Sequence, residues 1–178
     1  HLSGPLEWDP VPRWDVQVEG SDLDPGQLLP DLPGKLAIAL HTSGQLHPDQ
    51  GLQAAVALER LTGTLLEYQL SLDARAHIDQ ETLELQSLQL QSAGNRLQAS
   101  GSAATDAVAL QWQMEAPNPG AFIPGAAGQL TAGGTVAGTP QAPRLQAKLQ
   151  GKGLQLDTLA IPSLQLEREA GPEPGDTL

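Results

Sequence analysis

Asp73, His77 and Asp79 come nearer than any other residues of this sequence to a metal site or an acid–base pair, with His41 and His47 as further imidazole donors. Such a site needs several ligands converging from fixed elements. The stretch from Asp73 to Glu81 reads instead as a polar connection between two strands, where these residue types are ordinary turn and surface choices. Gly133 and Gly134 could line a phosphate loop, but neither a helix pattern nor a P-loop lysine follows them. Trp8 and Trp14 could form an interfacial aromatic pair, and packing at the start of a sheet accounts for them more simply. With no cysteine there is no thiolate and no disulfide. The expectation is a protein that is not an enzyme and takes no cofactor or metal.

With no local chemistry to position, function must lie in the elements themselves. The chain has 178 residues, enough for one domain with a core, and its 31 leucines stand against a single Phe and a single Tyr. A net charge of -12 argues against nucleic acid and against docking on anionic headgroups. No apolar run approaches the roughly 20 residues of a membrane span, and no secretory leader is present, so a membrane anchor is expected outside this segment.

Strict alternation of apolar with small or polar residues marks strands throughout. Leu36, Ile38 and Leu40 form one set, Leu52, Val56 and Leu58 with Ala54 a second, and Leu66, Tyr68, Leu70 and Leu72 a third. The glycines at 51 and 63 bracket the second set, whose alternation favours a strand over a helix. Val108, Leu110, Trp112 and Met114 repeat the pattern with Gln111 and Gln113 opposite, and Leu145 and Leu149 follow, flanked by glutamine and lysine. Leu83, Leu85, Leu97, Leu130, Val136, Leu154 and Leu156 complete the apolar set. In two places the phase slips, between Leu85 and Leu88 and between Ile161 and Leu164, so a bulge or bend is expected at each.

The chain also repeats itself. Pro25-Gly26-Gln27-Leu28-Leu29-Pro30 returns as Pro119-Gly120-Ala121-Phe122-Ile123-Pro124, an offset of 119 minus 25, or 94. A second echo joins Thr82–Leu90 to Thr158–Leu166 at 158 minus 82, or 76, which implies a second copy shorter by 18 residues, about one hairpin. Each Pro-Gly phrase follows Asp24 or Asn118 and predicts a single helical turn capped by that residue, carrying Leu28 and Leu29 or Phe122 and Ile123. Repeated supersecondary units imply a quasi-one-dimensional molecule whose function is a continued surface.

Leu61-Thr62-Gly63-Thr64-Leu65-Leu66-Glu67-Tyr68-Gln69-Leu70 resembles the periplasmic repeats of the TamB family. Gly94-Asn95-Arg96-Leu97 with Ala99, Ser100 and Gly101 is similar to that family's hairpin turn, and Gly134 to Pro140 with Pro143-Arg144-Leu145 resembles its repeat linker. In this order the phrases cover the chain from about Trp14 to Leu166, and at the level of fold they also resemble the AsmA-like, bridge-like lipid-transfer proteins. The resemblance implies an all-β, elongated, curved antiparallel sheet folded into an apolar trough, a β-taco, with one or two short helical turns. It would occupy residues 14–168, between a flexible segment 1–13 and a flexible tail 169–178.

The resemblance further implies a periplasmic segment of a protein anchored in the inner membrane, with phospholipid acyl chains in the trough and a TamA-like outer-membrane partner reached through the full-length chain. Two alternatives stand beside lipid transport: a scaffold for outer-membrane protein assembly by strand pairing, and a plain extracellular β-sandwich or adhesin module. An apolar sheet face with no helix to cover it must close on itself, pair with another sheet, or hold something apolar.

Overall fold

The structure, a computed structural model, describes residues 1–8, 11–27, 33–49, 51–121, 125–156 and 159–170, apart from the side chains of residues 156, 159 and 168–170. It is one open antiparallel sheet of twelve strands. These are β1 (Leu2–Ser3), β2 (Leu6–Glu7), β3 (Arg13–Leu23), β4 (Gly34–His47), β5 (Gly51–Leu65), β6 (Tyr68–Asp79), β7 (Thr82–Ser92), β8 (Asn95–Ala103), β9 (Val108–Ala116), β10 (Ala126–Thr139), β11 (Ala142–Leu156) and β12 (Leu159–Ala170). From β3 to β12 each strand pairs with the next in sequence, while β1 and β2 both pair with β3. Ten steps from β1 to β12 at about 4.8 Å each make the sheet roughly 50 Å long in the hydrogen-bonding direction.

The all-β class, the curved open sheet of the taco type and the two short helical turns all match the sequence expectation. The sheet begins earlier than the sequence suggests, because Leu2–Ser3 and Leu6–Glu7 lie along β3. Gly63 falls inside β5 and does not end it. Tight turns join the central strands: Leu66 and Glu67 between β5 and β6, and Ala93 and Gly94 between β7 and β8, take positive φ at both positions, as a twisted two-residue hairpin requires. The phrase from Gly134 to Pro140 is no linker. Gly134–Thr139 is the end of β10, and Pro140 with Gln141 forms the turn into β11.

The 94-residue repeat holds at its start. Pro25–Gln27 and Pro119–Ala121 are both single 3-10 turns between strands. Asp24 caps the first: its Oδ1 accepts the Gly26 N–H at 2.9 Å and its backbone carbonyl accepts the Gln27 N–H at 3.2 Å. At the second, the Asn118 carbonyl accepts the Ala121 N–H at 3.3 Å. The expected roles of Leu28, Leu29, Phe122 and Ile123 lie outside the described residues.

The missing hairpin is corrected by topology. In this meander β12 comes three strands after β9, as β6 comes three strands after β3, and it runs the same way as β6. Its sequence echo is with β7, which runs oppositely. Removing 18 residues would delete one strand, and deleting one strand reverses the direction of everything after it. The echo at offset 76 therefore reflects a shared strand pattern and not equivalent places in two copies.

Of the two expected slips, the one in β7 is a bulge, while from Leu159 to Ala170 β12 keeps a single register against β11 with no shift between Ile161 and Leu164. In β7 the pairing passes from Leu85↔Gly101 to Leu88↔Ala99, and from Arg75↔Ser87 to Ala76↔Leu85, so one extra residue is looped at Gln86 and Ser87. In β11 the step from Ala127↔Gln155 to Gln129↔Lys152 absorbs an extra residue around Gly153, whose φ is +56°. Further bulges sit at Ser21–Asp22 in β3 and at Glu59–Arg60 in β5. Glu59 and Gly153 are 94 residues apart, 153 minus 59, so the repeat extends to this irregularity.

Candidate functional site: a continuous apolar sheet face

Residues paired across antiparallel strands share a face, so the register can be followed as rows across the sheet. One row runs Gly20, Ile38, Leu61, Leu72, Leu90, Leu97, Met114, Ala132, Leu149 and Leu166, spanning β3 to β12. A second runs Val18, Leu40, Leu58, Ala74, Leu88, Ala99, Trp112, Gly134 and Ala147. A third runs Val16, Thr42, Val56, Ala76, Leu85, Gly101, Leu110, Val136 and Leu145 over the same strands. Beyond it lies Trp14, Gly44, Ala54, Ile78, Leu83, Ala103, Val108 and Gly138. Within these four rows, Thr42 is the one side chain that carries a hydroxyl, carboxyl, amide or cationic group, and it accepts the Trp14 Nε1–H at 3.2 Å.

The face is half covered. Its side chains shield one another along and between rows, yet no large side chain among the described residues is fully buried. Val16, Leu36, Ala54 and Ala116 are its most enclosed members. No second layer packs on it among the described residues: the extensive contacts of each long strand are with its sheet neighbours and the adjoining 3-10 turns. The Trp14 ring reaches over Gly44, where a Cβ would meet it at 2.4 Å, so the glycine makes room for the indole at the β3 end of the face.

Most of the sequence-expected lining residues stand on this face. Leu36 and Leu70 sit in a fifth row with Leu23 and Gly63, Leu130 pairs with Ala116, and Leu52 and Tyr68 lie at the row ends. Leu154 reaches it through the Gly153 bulge, since a Cβ on Gly151 would meet the Leu154 Cδ1 at 2.2 Å. Leu66 does not belong: it is a turn residue with φ +50° and is exposed at the sheet rim. The backbone of Leu156 pairs with Leu159, but its side chain lies outside the described set. Sequence reasoning missed Leu61, Ile78, Val16 and Val18. Leu61 has the wrong parity for the set that ends at Leu58, and the adjacent charged pair Glu59-Arg60 was the sign of the bulge that corrects it.

The other face is hydrophilic. Gln89, Gln98 and Gln113 pair in one row, and Ser100, Gln111 and Thr135 in another. A hollow of about 790 Å³ opens on this side and not on the apolar one, between those two rows. Asp73, His77 and Asp79 also stand here, on strand β6 itself and not in a connection. His41 meets Asp15 at 2.7 Å. No three metal-ligating side chains come together among the described residues. No helix among them is long and apolar enough to cross a membrane, which leaves spanning by strands unaddressed.

No curated protein and no solved structure matched this chain. Residues 1–175 match the family described as TamB, N-terminal domain. A match over nearly the whole length agrees with the one sheet built of repeated strands, and the chain belongs to the TamB family.

Proposed function

We propose that this chain is a periplasmic section of a phospholipid conduit between inner and outer membranes, in which acyl tails lie along the apolar rows while headgroups stay at the open rim. The observation that carries this reading is the unbroken row from Ile38 through Leu72 to Leu149, apolar at every strand it crosses and covered by no other part of the described chain. Leucine suits the role: acyl chains need no directional partner, and flexible aliphatic side chains follow them as they slide. The acidic charge keeps anionic headgroups off the protein surface, so the lipid is held by its tails.

A photo-crosslinking amino acid at Leu72 and at Ser71, in the full-length protein in its envelope, tests the reading. These neighbours face opposite ways, Leu72 in the apolar row beside Leu61 and Leu90, and Ser71 exposed beside Thr62 and Gln91. Phospholipid adducts are expected at 72 and not at 71. Equal labelling, or none at either, overturns the conduit.

A second reading rests on β12, whose twelve-residue length pairs on one side with β11 and has no strand on the other among the described residues. An edge of that length can take up an incoming strand, which would make the chain an assembly scaffold acting with a TamA-like outer-membrane protein. Crosslinks from Gln165 to a nascent outer-membrane strand, without lipid adducts at Leu72, would favour it.

A further inference from the structure

We infer that the hollow on the hydrophilic face binds a neutral linear glycan, independently of whether the opposite face conducts lipid. The hollow runs across β7 to β12, five strand intervals or about 24 Å, and is open to solvent along its length. Two ladders wall it. One carries Ser100, Gln111 and Thr135, the other Gln98, Gln113 and Lys148, with the backbone between them as floor. Alternate residues of one strand stand about 7 Å apart, room for one sugar ring lying on the backbone. At Gly133 the second ladder has no side chain, which widens the hollow midway.

Charge decides the ligand class. The chain carries -12 overall, and Asp15, Arg75, Glu84 and Glu115 stand on the same face. Among the described residues that line the hollow the charges are Lys148 and Glu167, which pair with each other at 3.0 Å at its β12 end and cancel. Among those described residues a phosphate or uronate polymer would find no unpaired cation, and a basic peptide no unpaired carboxylate. What remains is amide and hydroxyl. These groups donate and accept at once, as sugar hydroxyls do, and Gln111 is already oriented by its 3.0 Å bond to Ser100 Oγ, keeping one N–H and its carbonyl for a ligand. An extended peptide pairs by its backbone at a sheet edge and not on a face, so a glycan fits this site better. Trp112 belongs to the other face, and without an aromatic platform the affinity should be in the millimolar range, useful through many weak contacts along one polymer.

The test is titration of the 178-residue chain with cellohexaose, read by NMR of the glutamine side-chain amides. Saturable shifts are expected at Gln98, Gln111 and Gln113 and not at Gln45 or Gln53, a hydrogen-bonded pair at 2.9 Å outside the hollow. The midpoint should not move when salt is raised tenfold. Gln98→Ala with Gln113→Ala should weaken binding by about fivefold or more, and Gln45→Ala with Gln53→Ala should leave it unchanged. Both pairs lie on the solvent side of the sheet, and the shift map of the unaltered chain decides the matter should either variant misfold. No saturable shift, equal shifts at all these glutamines, or tighter binding of a Gly-Ser peptide or an oligogalacturonate overturns the proposal.

Discussion

Asn95 shows how a single side chain holds this sheet together. It is 5% exposed, its Nδ2 donates to the Asn118 carbonyl at 2.8 Å, and its Oδ1 accepts the Asn118 N–H at 3.0 Å. The side-chain amide thus stands in for a ladder partner at the point where the chain leaves β9 for its 3-10 turn. Asn95→Ala strips both bonds from a part-buried backbone and should cost about 1–3 kcal/mol, measured by urea unfolding. Asn95→Gln should not rescue it, because the longer arm displaces both bonds at once; a loss below about 0.5 kcal/mol would show that the clamp does not matter. Little of this was legible. The sequence marks Gly94-Asn95 as a turn and Asn118 as a helix cap, but that one reaches the other depends on the register of β8 against β9, which local patterns do not carry. Gly63 is similar. Its residue type marks a strand end, yet it sits within β5 at φ +146°, where a Cβ would lie 2.0 Å from the Lys35 carbonyl oxygen.

At the scale of the strand, alternation fixed the faces and its failures fixed the bulges. Leu85 and Leu88 have opposite parity, and both sit in apolar rows only because Gln86 and Ser87 take up the slip. Two single-residue deletions separate this account from chance. Without Gln86 the strand alternates strictly, with Leu83, Leu85, Leu88 and Leu90 still on one face, so the sheet should lose local curvature and little stability. Without Gln89 the slip moves past the bulge and either Leu88 or Leu90 turns to water, which should cost at least about 2 kcal/mol, the transfer free energy of one leucine. Thermal melts of the two variants decide it, and equal loss in both would mean that the bulge does not set the register. Where a bulge lay inside a run with no second apolar pair to expose it, as at Glu59-Arg60, the adjacent charges were its one sign, and without a slipped apolar pair Leu61 was missed. The turn at Leu66-Glu67 misled for a different reason: an apolar residue in a positive-φ turn keeps the parity of the strand after it without sharing its face.

The whole molecule is far from compact. A globular chain of 18.6 kDa exposes roughly 8,200 Å² of surface, whereas this one exposes 12246 Å². The difference is what a single-layer sheet must show, and one of its two faces is a field of leucine well beyond the few hundred Å² of apolar patch that soluble monomers tolerate. Any amphiphile that covers this face binds the folded sheet and not the unfolded chain, so it should stabilise the fold by mass action. Once the face is saturated, each tenfold rise in free nonionic detergent below its micellar concentration adds about 1.4 kcal/mol for every detergent molecule bound, which for a chain of this size should raise the melting temperature by about 3–6 °C per bound molecule. Leu72→Gln with Leu90→Gln, which breaks the longest apolar row at two adjacent strands, should reduce that slope before it abolishes folding. Gln91→Ala on the hydrophilic side should leave it alone. An anionic detergent of the same chain length should bind more weakly and lose that handicap at high salt, because only its headgroup meets the net charge of -12. A melting temperature indifferent to every amphiphile would mean that the apolar rows are closed off in solution by something other than lipid, and the conduit reading would fall with that result.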